Sequence, residues 1–176
     1  MGTMSSNIFI ANQSMTREQA GGLVAKLQGA QLYYSPSASF LPLFSTQLCE
    51  GSVLGIQDAR NLSSMLNVPV LVLSTYDGDI LYVSYVNTDT NACYAHARVQ
   101  YEEDIEQMLT EESPDVPVFL LELFPSVQQE QLVEIWESEE IDFSEDRLEE
   151  LANLLQLDLP REQNDNITGY EKLSAK

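Results

Sequence analysis

An α+β fold is predicted, and three observations carry the prediction. Residues 69–100 hold strand-length apolar runs separated by turn residues, the pattern of an antiparallel meander. Stretches before and after it repeat apolar residues at helical spacing. Acidic charge is concentrated in the helical second half. Residues 1–100 are therefore expected to form a mixed or antiparallel sheet with helices. An acidic helical lobe over 101–160 is expected to pack on the same domain, followed by a polar tail over 161–176.

The elements follow in order. Asn7 to Ala11 is a short apolar strand. Ser14 to Gly29 reads as a helix, with Thr16 and Gln19 as a capping box and Met15 stapled against Ala20. Gly21 and Gly22 weaken it by about 1 kcal/mol each. Gln31 to Tyr34 is a second strand, ended by Ser35-Pro36-Ser37. Between Phe40 and Glu50, Pro42 argues against a continuous helix. Gln57 to Leu66 is a short helix closed by Asn67 and Pro69. The run Val68 to Leu73 is apolar enough for a strand covered on both faces. Asp77-Gly78 is a tight hairpin signal, and strands return over Ile80–Val86 and Ala92–Gln100.

Beyond Tyr101 a helix is expected over Glu102–Glu112, then a break at Pro114 and Pro117. Val118 to Phe124 fits helix or strand equally. Ser126 with Gln129 is a capping box for a helix to about Ser138. Asp142 with Glu145 opens another, ending near Leu155. There Glu145 and Asp146 suit the positive end of the helix dipole.

The chain has 176 residues and a formal charge of −20. Residues 1–100 carry six carboxylates against four bases, whereas residues 101–176 carry 22 against four. Such imbalance gives a directional field that disfavours anionic partners. With eight lysines and arginines in all, binding to nucleic acid is excluded, and anionic membrane surfaces repel the chain. No apolar run reaches the roughly 18 residues that span a bilayer. The N-terminus lacks the basic-then-apolar signature of a signal peptide, so a soluble, cytoplasmic protein is expected. Cys49 and Cys93 have no CxxC or Cys/His spacing and read as reduced, buried thiols; a single disulfide is the alternative.

Few residues suggest catalysis. Asp77-Gly78-Asp79 could hold a hard cation, but the twelfth position of an EF-hand loop begun at Asp77 is Thr88, not glutamate. His96 is the only histidine. Tyr94, His96 and Arg98 share one face of an alternating strand, with Ala95, Ala97 and Val99 on the other. A metal- or His-dependent hydrolase using Asp77, Asp79 and His96 is one alternative function, although no nucleophile-elbow glycines accompany these residues. Gly51-Ser52-Val53-Leu54-Gly55 lacks the phosphate-loop patterns and reads as a turn. No cofactor or metal is expected.

The strongest signal is acidic. Glu130, Glu134 and Glu137 follow helical spacing, and Glu139, Glu140, Asp142, Glu145, Asp146, Glu149 and Glu150 crowd the next turn and helix. Close like charges repel by a few tenths of a kcal/mol per pair, roughly, which a basic partner would relieve. In size, acidity and lack of catalytic signature the chain resembles small bacterial immunity proteins and other protein inhibitors. The acidic pattern and that resemblance point to a non-enzymatic module for a basic protein; Trp136 and Phe143 are candidate aromatic anchors, with ordinary core packing as the alternative for both. A structural subunit of an oligomer is a further alternative.

Overall fold

The structure is a computed structural model that describes residues 4–100 and 112–175. The helix expected from Glu102 lies outside the described residues, apart from Glu112. The α+β fold holds. Among the described residues, seven antiparallel strands form one sheet: β1 (Met4–Ala11), β2 (Gln31–Tyr34), β3 (Phe40–Phe44), β4 (Val70–Tyr76), β5 (Ile80–Asn87), β6 (Ala92–Val99) and β7 (Glu171–Ser174). Their order is β6-β5-β4-β1-β3-β2-β7. The described helices are α1 (Arg17–Val24), α2 (Thr46–Cys49), α3 (Ile56–Leu66), α4 (Leu120–Leu123), α5 (Gln129–Glu137) and α6 (Ser144–Leu155).

The side-chain period of two sends alternate strand residues to opposite faces. On one face, Ile8, Ile10, Val70 and Val72 join a core with Ala20 and Val24 of α1 and Ala59, Leu62 and Leu66 of α3. On the other, Phe9, Leu71, Leu73, Leu81 and Val83 join Leu120 of α4, Leu132 and Trp136 of α5, and Leu148, Leu151 and Leu155 of α6. The apolar run before Ser74 is thus covered on both sides. Register is fixed accordingly: Phe9 lies opposite Leu71, and Leu73 opposite Val83. A slip of one residue would exchange the two cores.

Local chemistry sets the boundaries. The Thr16–Gln19 capping box forms in both directions. Met15 and Ala20 are both buried. Helix α1 stops at Val24, short of the expected Gly29, after the Gly21-Gly22 pair that lowers helix propensity. Asp77 and Gly78 both adopt positive φ, at 57° and 77°, as a type I′ hairpin turn requires. A Cβ on Gly78 would meet the Phe143 ring at 3.4 Å. Helix α5 starts later than expected, at Gln129, where the N-cap Gln128 N–H donates to Gln131 Oε1 at 3.2 Å. No Asp142 cap forms on α6. Instead the Ser144 N–H donates to the Gly78 carbonyl at 2.8 Å, so a hairpin tip serves one of the helix's orphan donors.

Residues 161–176, read as a polar tail, supply β7. It pairs with β2, Leu173 enters the first core, and Arg17 of α1 forms an ion pair with Glu171. At the opposite edge, Ser113 makes a parallel bridge to His96 of β6. No helix among the described residues is long and apolar enough to cross a membrane.

Both cysteines are free, but only Cys49 is buried; Cys93 sits exposed on β6, a correction to the expectation of two buried thiols. Burial pushes the Cys49 thiol up to about 11. A thiol reagent at pH 8 is expected to modify Cys93 alone in the native chain, and both cysteines in denaturant; rapid modification of both would contradict the fold. Because its folded pKa is raised, Cys49 favours folding below pH 9, and that contribution is lost as pH climbs from 9 through about 11. The drop in melting temperature over this interval should be smaller in Cys49→Ala than in wild type. Ser84 is buried on β5 with no hydrogen-bond partner for its hydroxyl among the described residues. Stranding a hydroxyl costs about 1–3 kcal/mol. Ser84→Ala is therefore expected to raise the unfolding free energy by about 1 kcal/mol in urea titration.

Candidate functional site

Helices α5 and α6 form the outer layer over the second core, and their apolar stripes decide where the carboxylates go. Leu132 and Trp136 of α5, and Leu148, Leu151 and Leu155 of α6, turn inward. Nine of the ten predicted carboxylates are exposed as a result: Glu130, Glu134, Glu137, Glu139, Glu140, Asp142, Asp146, Glu149 and Glu150; Glu145 is half-buried. They do not gather at one point. Glu134, Glu140 and Glu150 line a groove of about 460 Å³ between α5, the 138–141 turn and α6, whose floor includes Ile135, Ile141 and Leu154. Glu145 and Glu149 stand beside a second cavity, on the side of α6 that faces residues 159–161. There Arg161 pairs with Glu149.

The organising residue of this layer is Arg147, which sequence reading missed. It is 1% exposed. Its guanidinium donates to the carbonyls of Ile135, Trp136, Ser138 and Ile141, and to Gln100 Oε1. Arg98 of β6 adds a second donor to the Trp136 carbonyl at 2.8 Å. The C-terminal carbonyls of α5 are the negative end of its dipole, a favourable place for cations. Burial pulls the Arg147 guanidinium down to about 10, so it stays charged at neutral pH. The signal was in the sequence: Arg147 lies three residues after Ser144 and four before Leu151, within the α6 stripe.

The aromatic candidates separate. Trp136 is 1% exposed, and its indole N–H donates to the Pro114 carbonyl at 3.1 Å; it is a core residue, and no surface anchor. Phe143 is 58% exposed at the start of α6, beside Gly78.

Asp77, Asp79 and His96 fall in different places. Asp77 and Asp79 flank the hairpin tip. His96 pairs with Val83, three residues along β5 from Ile80, roughly 10 Å at strand spacing. Tyr94, His96 and Arg98 do share a face, and it packs against the C-terminal layer. Tyr94 stacks on Phe119 at 4.7 Å between ring centres, and the His96 Nδ1 lies 2.8 Å from the Asp115 carbonyl oxygen. Among the described residues, no group of three or more His, Cys, Asp or Glu side chains is placed to hold a metal ion.

Replacing Arg147 should be costly. Arg147→Met is expected to lower the unfolding free energy by about 3 kcal/mol, because it strands buried carbonyls. Urea unfolding measures this. A loss below about 1 kcal/mol would show that the guanidinium does not organise the layer.

Compared with models of protein families, with curated proteins and with solved structures, the chain matches none.

Proposed function

We propose that this protein is a non-enzymatic acidic module that binds a basic protein partner through its α5–α6 layer, in the manner of an immunity protein or inhibitor. The supporting observation is the charge contrast across the sheet. Residues 129–155 hold ten carboxylates and one base, Arg147, whose charge is buried. On the opposite side, α1 and α3 are balanced, with Glu18 and Asp58 against Arg17 and Arg60. A cationic protein would be attracted more strongly to the α5–α6 face than to the α1–α3 face, with a faster on-rate that salt suppresses.

The groove between α5 and α6 suits long cationic side chains, whose aliphatic stems could lie on Ile135, Ile141 and Leu154 while their heads meet Glu134, Glu140 and Glu150. Its shape is held from beneath by Arg147, through the carbonyls of Ile135, Ser138 and Ile141.

The test is affinity capture from native lysate at low and high salt, followed by measured affinities for any cationic protein identified. Binding should weaken steeply with salt. The combined variant Glu134→Gln, Glu140→Gln, Glu150→Gln should bind at least about tenfold more weakly, mainly through a slower on-rate. Failure to capture a cationic protein at low salt, or unchanged affinity in the variant, would overturn this reading.

A further inference from the structure

We infer that the cavity beside the start of α6 binds a small organic amine with an apolar body. This goes beyond the acidic-module reading and does not depend on it. The cavity has a volume of about 360 Å³ and lies between the beginning of β1, the end of β4, the first turns of α6 and residues 159–161.

The argument begins with a break in the strand pattern. On β1 and β4, the positions facing the C-terminal helices are Phe9, Leu71 and Leu73, all fully buried. Continuing the period of two along the same face reaches Asn7 and Ser5 on β1 and Thr75 on β4. These three are polar, and all three line the cavity. Ser5 and Thr75 lie opposite each other with their hydroxyls 3.0 Å apart. On β1 and β4 the inward face thus turns from apolar to polar at the cavity, which suits it to receive a polar group of a ligand.

The walls and rim decide the rest of the chemistry. Phe44, Leu148 and Leu159 supply apolar wall. A mostly apolar lining with a few placed polar groups is the usual composition of a small-molecule site. The charged lining residues are Glu50, Glu145, Glu149 and Arg161, a net charge of −2. Arg161 already pairs with Glu149. That balance selects a cation over an anion, and the chain's overall charge of −20 reinforces the choice. The Arg161–Glu149 pair ties the 159–161 segment to α6, and the Asp165 carboxylate accepts from the Arg161 and Glu162 N–H groups, holding that wall in place.

The probes are phenylbutylamine, phenylbutanol and phenylbutyrate, which share one apolar body and differ in head-group charge. Each is titrated into the full chain and followed by amide NMR and calorimetry. The amine should bind saturably, at least tenfold more tightly than the carboxylate, with the alcohol between them. The shifted amides should include those of Ser5, Asn7 and Leu148. Asn7→Leu, which fills the polar floor, should weaken the amine tenfold or more. Glu50→Gln with Glu145→Gln leaves the Arg161–Glu149 pair in place and should abolish the preference for amine over alcohol; this second variant reads the site independently if Asn7→Leu does not fold. Absence of saturable amine binding, equal or tighter carboxylate binding, or an unchanged affinity in Asn7→Leu would each overturn the inference. None of these failures touches the α5–α6 groove, which is probed with a macromolecule.

Discussion

Two-sided burial of the central strands is the constraint on which the rest of the molecule depends. Ile8, Phe9, Ile10 and Val70 to Leu73 are all within 1% of complete burial. A strand with no polar face needs apolar cover on each side, so one helical layer is not enough. The helices that interrupt the sheet in sequence, α1 and α3, cover one face; those that follow the meander cover the other. Each large apolar side chain withdrawn from water in this way contributes about 1.5–3 kcal/mol before entropy is counted.

The second layer then meets a problem the first does not. Its helices are so acidic that their stripes must point in while almost every charge points out, and α5 ends inside the protein rather than in water. Arg147 resolves both difficulties. It satisfies the carbonyls at the end of α5 and of the following turn, and it places one positive charge beneath a strongly negative surface. Replacing such a group with an apolar one would remove the ion's desolvation cost, but it would leave the carbonyls without donors. The guanidinium thus confers both position and stability on the layer.

What the sequence made legible was local. The Asp77-Gly78 turn, the Thr16–Gln19 box and the alternation of Tyr94, His96 and Arg98 each depend on neighbours within a few residues, and each appears as read. What it concealed was long-range. The β7 strand gains its partner from β2, more than 130 residues away, so its polar composition gave no strand signal. The start of α6 is set by the Gly78 carbonyl and not by Asp142. The acidic helices were visible as a charge pattern, but their division between a groove and a separate cavity depends on how α5, α6 and residues 159–161 pack. The meaning of Ser5, Asn7 and Thr75 likewise emerges only once two strands lie side by side.

The contact between the Ser144 N–H and the Gly78 carbonyl joins a tight turn in the first half of the chain to a helix start in the second. Beneath it, Phe9, Leu71, Leu73, Leu81 and Val83 pack against the apolar residues of that layer. A fragment ending near residue 100 would leave this entire hydrophobic face bare to water, prone to self-association. The two halves, so different in charge, therefore share one hydrophobic face, and separating them would uncover it.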